Sequence, residues 1–273
     1  MQELQYLNKE LVKELTENWL KSGLEKNDMV LVHSSLSSFF KKYKNRGIEI
    51  SPEDILQSLM NAVGEKGTLI FPVYNFGFTK GIPFDIRNSK SETGILTETA
   101  RNHKAFVRTG HPMFSFTAAG YYKNEFEDLD NYSAFGKDSP FAILTEYDGK
   151  IAAIDVAGEF CMTYYHFIEE SENAPNRFHK TFKGRYIDKN GNETVKEYNV
   201  YSRKTDIGVE TDVKPMEELL WSKGLYKGDR PMEGTGMHVI KARTVYNEAS
   251  KLIKDGKTLG MLYRINSNSD KNI

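Results

Sequence analysis

Apolar residues recur at helical spacing near the start of the chain. Leu11, Leu15 and Trp19 are four residues apart, with charged residues between them. This spacing places the apolar side chains on one face of a helix, and it predicts an amphipathic helix over residues 3–22 that ends at Gly23. We expect this helix to cover a sheet.

Short continuous apolar runs alternate with further helical patterns along the rest of the chain. Apolar runs bounded by polar turns are typical of buried strands, and apolar residues at intervals of three and four are typical of helices. Ser51 followed by Pro52 marks a helix start, because serine caps free amides and proline suits the first helical position. The predicted strands are 29–33, 67–73, 113–119 and 150–156, and the further predicted helices are 52–63, 93–102, 163–172, 215–223 and 244–254.

A long loop and a hairpin complete the pattern. Residues 74–92 show no periodicity, which predicts a loop of the kind that usually carries function. Two alternating runs, 181–187 and 194–201, flank Asn190 and Gly191, and this residue pair tolerates the positive φ of a hairpin turn. We therefore expect a mixed α/β (α+β) fold, with a central sheet flanked by helices and a hairpin insertion at about 181–201.

Neither repeats nor linkers divide the sequence. We expect one domain over residues 1–264 and a polar tail over 265–273.

Composition narrows the classes of partner. Lys and Arg number 37 against 38 Asp and Glu, so no sequence-wide charge attracts nucleic acid or an anionic membrane. The one cysteine, Cys161, excludes an internal disulfide. The sequence has neither an apolar run of about 18 residues nor a basic-then-apolar leader. We expect a soluble, cytoplasmic protein that acts on small molecules without a metal, and self-association as a homodimer stays open.

His166 is the strongest candidate for chemistry. It lies in the predicted helix 163–172, one turn from Glu169 and Glu170. A helix N-terminus favours the neutral imidazole and a carboxylate favours the cation, so the pair could supply a base that works near neutral pH. The alternative is a surface histidine beside solvated glutamates. Cys161 is similarly open, either as a thiol nucleophile or as a small buried apolar residue.

A second candidate is the turn after the first predicted strand. His33, Ser34, Ser35 and Leu36 can present backbone amides and hydroxyls to an anion, as strand-to-helix turns do. The chain lacks a Gly-x-x-x-x-Gly-Lys-Ser/Thr loop and a Gly-x-Gly-x-x-Gly turn after a strand, which disfavours nucleotide triphosphate hydrolysis and a dinucleotide cofactor.

Taken in order, the motifs of this chain resemble those of the aminoglycoside 3-N-acetyltransferase superfamily, from about residue 5 to residue 255. Each motif is common, but the ordered set is specific. The matches are His33-Ser34-Ser35-Leu36, Gly67-Thr68-Leu69-Ile70-Phe71-Pro72, Pro83-Phe84-Asp85, Thr93-Gly94, His111-Pro112 with Ser115, Thr163-x-x-His166-x-x-Glu169 and Glu233-Gly234-Thr235-Gly236.

The resemblance implies an antibiotic N-acetyltransferase fold and direct transfer of an acyl group from acyl-coenzyme A to an amine. It implies that His166 is the general base and that Glu169 orients it. The residues it places at the coenzyme are His33, Ser34, Ser35, Leu36, Thr68, Thr93, Gly94 and His111. Among them, Thr68, Thr93 and the Gly94 amide are the candidate donors to the thioester carbonyl oxygen, where negative charge develops. Direct attack leaves Cys161 without a role.

The acceptor is the part of the reaction that this chain defines least. Phe114 stands where antibiotic-modifying members commonly have a second histidine, and Tyr164 and Tyr165 replace smaller residues before His166. These rings, with a net charge of only -1, favour the amine of a nucleotide-linked 4-amino-4,6-dideoxy sugar over an aminoglycoside. The candidate acceptor-binding residues are Tyr74, Asn75, Phe76, Asp85, Tyr164, Tyr165 and Glu170. An aminoglycoside acceptor and a non-catalytic module that binds coenzyme A or a sugar are the alternatives.

Overall fold

A computed structural model describes residues 2–266 and confirms the mixed α/β class. The helices are α1 (Gln2–Lys21), α2 (Leu36–Asn45), α3 (Pro52–Val63), α4 (Ile95–Asn102), α5 (Asn124–Glu127), α6 (Pro140–Glu146), α7 (Gly158–Cys161), α8 (Tyr164–Ser171), α9 (Lys214–Ser222) and α10 (Ala242–Lys254). The strands are β1 (Met29–Ser34), β2 (Thr68–Tyr74), β3 (Phe84–Asp85), β4 (Val107–Arg108), β5 (Phe114–Gly120), β6 (Lys150–Ile154), β7 (Arg177–Ile187), β8 (Glu193–Arg203), β9 (Val209–Thr211), β10 (Lys227–Gly228), β11 (Met237–Lys241) and β12 (Tyr263–Ile265).

Seven strands form the central sheet, in the order β10-β11-β6-β1-β2-β5-β4. The three middle strands, β6, β1 and β2, are parallel, and the outer strands join them antiparallel. Helices cover both faces of these middle strands, which explains why they read as continuous apolar runs rather than alternating ones. Because the three strands are parallel, their C-terminal ends, at Ser34, Tyr74 and Ile154, meet at one edge of the sheet.

Two apolar cores lie on opposite faces of the sheet. On one face α1, α3 and α4 pack together, and the buried indole of Trp19 donates a hydrogen bond to Ser58 at 2.7 Å. The other face carries α6, α8, α9, α10 and the inner side of the β7–β8 hairpin. Successive side chains along β1 and β2 therefore point alternately into one core and the other.

The hairpin is confirmed and is longer than predicted. β7 and β8 pair antiparallel over eleven residues each, and β3 adds to the end of β7 at Tyr186 and Ile187. The base of β8 also binds the loop before α6, because the amide of Ala134 donates to the carbonyl of Asn199.

Several elements were not predicted, and the three longest of them are α2, α6 and β11. In α2 the apolar residues Leu36, Phe39 and Tyr43 do have helical spacing, but they lie among serines and lysines that resemble a loop. The proposed polar tail overlaps β12 at residue 265, and 267–273 lie outside the described residues. None of the helices within residues 2–266 is long and apolar enough to cross a membrane.

Candidate active site

His166 and Glu169 form a hydrogen-bonded pair on α8. The imidazole Nδ1 lies 3.0 Å from a carboxylate oxygen of Glu169, as expected for residues one helical turn apart. The Glu169 side chain is 2% exposed, whereas that of His166 is 20% exposed. The pair is thus anchored on its carboxylate side and open on its imidazole side, which excludes the surface-histidine alternative.

Two further residues hold the Glu169 carboxylate in place. The buried Arg177 guanidinium is 2.6 Å from the oxygen that His166 contacts, and Asn176 donates to the other oxygen at 2.9 Å. Burial raises the pKa of Glu169, but the His166 hydrogen bond and the Arg177 charge together hold that pKa below its usual 4.5. Glu169 is therefore a carboxylate at neutral pH.

These surroundings keep His166 neutral. Burial, together with the positive charge of Arg177, lowers the pKa of His166 below its usual 6.5 despite the neighbouring carboxylate. An ionised carboxylate accepts from Nδ1–H, so the other nitrogen, Nε2, carries the free lone pair. Within residues 2–266, Nε2 has no hydrogen-bond partner. A neutral imidazole with a free, partly exposed Nε2 is the arrangement of a general base.

A chain of aromatic rings runs from His166 to the protein surface. Phe135 lies 5.3 Å from the His166 ring and 4.8 Å from Phe114, and Phe114 in turn contacts Tyr74 at 5.0 Å and Phe76 at 5.6 Å. Phe135 is buried, Phe114 is half-buried and Phe76 is 36% exposed. Phe114, Phe76 and Tyr74 therefore form an aromatic wall, which we call the Phe114 wall.

The residues predicted to bind the coenzyme meet in part at the same edge of the sheet. Ser35 and Gly94 are the N-caps of α2 and α4, and neither helix is capped by a side chain. A Cβ added to Gly94 would lie 4.0 Å from the carbonyl oxygen of Ser34, so the two helix starts are neighbours. Thr93 joins them through a hydrogen bond to the carbonyl of Pro72. Two sets of first-turn amides therefore point to one region, which suits an anion.

Two predicted coenzyme residues do not join this group. Thr68 begins β2 at the opposite end of the strand, where its hydroxyl accepts from the amide of Tyr122 at 2.9 Å. Six residues of strand separate it from Tyr74, a distance of about 20 Å. His111 is fully buried, its Nδ1 accepts from the amide of Phe114, and its Nε2 lies 3.3 Å from the carbonyl of Asn199. His111 therefore shapes the entry to β5.

His33 is adjacent to Ser34 in β1, but its side chain is buried on the face of the sheet that packs against α8 and α9. By strand alternation it lies on the sheet face that α6, α8, α9 and α10 cover, whereas Val32 lies on the face of α1 and α3. Burial and then the nearby His238 lower its pKa to about 4.

The predicted acceptor residues also separate into two groups. Tyr74, Phe76 and the half-buried Glu170, which accepts from Ser133 at 2.7 Å, lie around His166 and the Phe114 wall. Asn75 follows Tyr74, but its amide group binds Lys90 and Gly77 within the loop.

Three other predicted acceptor residues lie elsewhere. Tyr164 and Tyr165 are fully buried, with their hydroxyls bound to Thr145 and Glu217, so they belong to the core because their apolar rings fill the space under α8. Asp85 pairs with Arg87 and lies at the far end of β7, about 30 Å along the strand from Arg177.

Sequence reasoning missed Arg177, Asn176 and Phe135. The first two follow α8 after a turn in which Asn173 has a φ of 53°, and this turn folds the chain back onto Glu169. The Asn-Ala-Pro-Asn sequence directly after the helix of His166 was the available signal. Phe135 reaches the site through the contact of its loop with β8, for which the sequence carries no signal. Burial raises the pKa of the Cys161 thiol, which fits an apolar role.

Within residues 2–266, no group of three or more His, Cys, Asp and Glu side chains is arranged to hold a metal ion.

Comparison with known protein families identifies the family of the chain. The sequence model of the aminoglycoside 3-N-acetyltransferase family matches residues 31–254. The chain belongs to this family.

Individual relatives are distant. Aminoglycoside N(3)-acetyltransferase IV from Salmonella is 28% identical over 165 residues, which cover 59% of each protein. The aminoglycoside N(3')-acetyltransferase-like protein YokD from Bacillus subtilis is 29% identical over 133 residues, 41% of this chain and 47% of YokD. The chain thus matches less than two thirds of the length of these relatives.

Solved structures agree over more of the chain. The aminoglycoside acetyltransferase AAC-IIIb in a binary complex with coenzyme A superposes with a TM-score of 0.76 at 18% identity, over 90% of this chain and 96% of that one. The apoenzyme of AAC(3)-IVa gives a TM-score of 0.69 at 23% identity, over 90% and 89%. These similarities establish the fold.

Proposed function

We propose that the protein transfers an acetyl group from acetyl-coenzyme A to an amine of an aminoglycoside-type acceptor, with His166 as the general base. One observation carries the proposal: a neutral imidazole is held at Nδ1 by a buried carboxylate and leaves Nε2 free. Family membership supports the reaction class.

The chemistry needs such a base because an ammonium group has no lone pair with which to attack. His166 Nε2 takes the amine proton, and the Glu169 carboxylate stabilises the imidazolium that results. When bound, acetyl-coenzyme A supplies a thioester whose C–S bond breaks as the new N–C bond forms. An ammonium acceptor gives up two protons in all. His166 passes the first to solvent before attack, takes the second from the nitrogen as the N–C bond forms, and gives it to the departing thiolate, so His166 returns to its neutral form.

Arg177 sets the protonation states of both His166 and Glu169. Its positive charge holds Glu169 ionised and lowers the pKa of His166, so the imidazole is unprotonated before the amine arrives. Cys161 takes no part, because direct attack needs no acyl-enzyme.

The coenzyme fits the edge where α2 and α4 begin. The turn of Ser34, Ser35 and Leu36 and the N-cap Gly94 offer backbone amides to phosphate groups, and Thr93 lies between them. Gly94 has a φ of 116°, a conformation that residues with a Cβ rarely adopt.

An aminoglycoside-type acceptor is supported by the named relatives and by negative charge next to His166. Glu170 lies on α8 one turn after His166, and the charge of Asp138 acts on it. The Glu170 carboxylate, one turn from the base, suits a second ammonium group of the acceptor. A nucleotide-linked amino sugar has the Phe114 wall in its favour and no support among the relatives, so it is the second candidate.

Two experiments test this function. We expect His166→Asn to lower kcat roughly 10²-fold or more, measured as thiol release from acetyl-coenzyme A, while binding of coenzyme A stays the same. His103→Asn, the same change remote from the site, is the control. A His166→Asn protein that keeps its rate contradicts the proposal.

Thermal-shift measurements with coenzyme A present then identify the acceptor, because a ligand that binds only the folded protein raises Tm. A rise with aminoglycosides supports our choice. A rise with nucleotide-linked amino sugars alone replaces it with the second candidate.

A further inference from the structure

The hydroxyl of Tyr74 is buried without a partner. Tyr74 ends β2 and is 5% exposed, and its Oη has no hydrogen-bond partner among residues 2–266. The Thr163 side chain lies beside it as a weak partner that slightly offsets the raised pKa of Tyr74, but the two groups lack the geometry of a full hydrogen bond. A buried polar group without a partner disfavours folding, so its presence calls for a partner that the protein alone does not supply.

This hydroxyl lies next to the catalytic base. Thr163 precedes α8, and its carbonyl accepts from the amide of His166 at 2.9 Å. On its other side the Tyr74 ring joins the Phe114 wall, which leads through Phe135 to the imidazole. The residue beside the Tyr74 hydroxyl, Thr163, therefore lies three residues before His166 at the start of the same helix.

Tyr74 also lies on the route from the coenzyme region to His166. Its carbonyl accepts from the amide of Glu92 at 2.8 Å, and Thr93 and Gly94 follow directly in the chain. Burial raises the pKa of Tyr74 above its usual 10, so the hydroxyl keeps its proton and can only be useful as a donor or a neutral acceptor.

We propose that the Tyr74 hydroxyl donates a hydrogen bond to the thioester carbonyl oxygen of the acyl donor and is thus a further catalytic residue. As the amine nitrogen bonds to the carbonyl carbon, the electron pair of the C=O bond moves onto that oxygen, and it returns when the C–S bond breaks. Tyr74 stabilises the transient negative charge and keeps its proton throughout. The inference rests on the proposed function.

The half-buried Thr163 side chain covers the hydroxyl and must change rotamer to admit the carbonyl. Such changes are common when a ligand binds. The Thr163 hydroxyl donates one long hydrogen bond among residues 2–266, 3.3 Å to the carbonyl of Cys161, so little opposes rotation of this side chain.

Tyr74→Phe tests the proposal because it removes one oxygen atom and leaves the ring. We expect kcat to fall about 10²- to 10³-fold, as when an oxyanion donor is removed. Tm should equal or exceed that of the wild type, since no protein hydrogen bond is lost. The Kd of free coenzyme A, which has no thioester carbonyl, should not change.

Tyr198→Phe is the matched control. The Tyr198 hydroxyl is also buried, but it donates to Asp130 at 2.7 Å, so its removal should lower Tm and leave kcat unchanged. Two results would overturn the proposal: a Tyr74→Phe protein with kcat within about threefold of wild type, or one whose binding of coenzyme A weakens as much as its rate falls. Either leaves His166 as the base, whereas an active His166→Asn protein removes the proposed function itself.

Discussion

Arg177 contacts the same oxygen of Glu169 that accepts the hydrogen bond from His166, with distances of 2.6 Å and 3.0 Å. All three side chains belong to one short stretch of chain, α8 and the start of β7. The cation therefore acts on the base in two ways, by fixing the carboxylate and by lowering the pKa of the imidazole.

Replacing this cation should move the pH profile. In Arg177→Met the positive charge that lowers the pKa of His166 is gone, so that pKa rises, and the acidic limb of kcat/KM should shift to higher pH. Glu169 is left buried without its cation, which should lower the free energy of unfolding by about 3–5 kcal/mol. Kinetics across pH and urea unfolding measure both effects.

Arg203→Met is the control for this variant. Arg203 is exposed and also lowers the pKa of His166, but more weakly. We expect a smaller shift in the same direction and unchanged stability. A limb that stays in place, or moves to lower pH, in Arg177→Met would contradict the assigned role of the cation.

Acid should destabilise the protein through its buried histidines. Burial lowers the pKa of His33, His111 and His238 to about 4. The unfolded chain takes up protons near pH 6.5 and the folded chain does not, so stability is full above pH 6.5 and is lost as the pH falls towards 4. Each histidine contributes at most about 3 kcal/mol over this window.

Urea unfolding at pH 7.5, 6 and 5 measures this loss. His111→Gln should give a shallower decline with pH than the wild type, whatever its stability at pH 7.5. A free energy of unfolding that stays constant from pH 7 to pH 5 rules out neutral burial of these rings.

The Phe114 wall should contribute to acceptor binding. In Phe114→Leu the acceptor loses an aromatic surface worth about 0.5–1.5 kcal/mol, so KM for the acceptor should rise by roughly 2- to 12-fold, with kcat nearly unchanged. Tyr121→Leu changes a 62% exposed ring beyond the opposite end of β5 and should have no effect. An unchanged KM in Phe114→Leu means that the acceptor does not touch this wall.

Gly94 should matter for coenzyme binding. Alanine at a φ of 116° is strained by about 1–2 kcal/mol and should turn the first amides of α4 away from the coenzyme, so the Kd of coenzyme A rises. Gly81→Ala is the control. Gly81 has a φ of 77°, so alanine is strained there too, but an added Cβ meets open space and the residue lies outside the junction of α2 and α4. Equal coenzyme affinity in the two variants, measured by calorimetry, would remove Gly94 from the binding site.

The sequence predicted the elements whose signals are local. The middle strands, α1, α3 and the hairpin follow from periodicity, caps and turn residues, and the His166–Glu169 contact follows from helical spacing. The prediction failed where burial decides the outcome. Tyr164 and Tyr165 were expected at the acceptor, but their neighbours in the core determine where they point.

Long-range contacts explain the remaining differences. Thr68 carries a motif of the family, yet strand direction places it at the wrong edge of the sheet. Phe135 reaches His166 because residues 132–134, directly before it, pair with Asn199 of β8, more than sixty positions later in the chain. No pattern within either segment encodes that pairing.

The order of strands in the central sheet has a consequence for biosynthesis. β1 lies between β2 and β6, so a ribosome must add more than a hundred residues after β1 before its second neighbour exists. At a synthesis rate of about 5–20 residues per second, the edge of β1 that pairs with β6 stays unpaired for roughly 6–25 seconds. Chaperone binding to nascent chains should therefore be strongest between the emergence of β2 and that of β6.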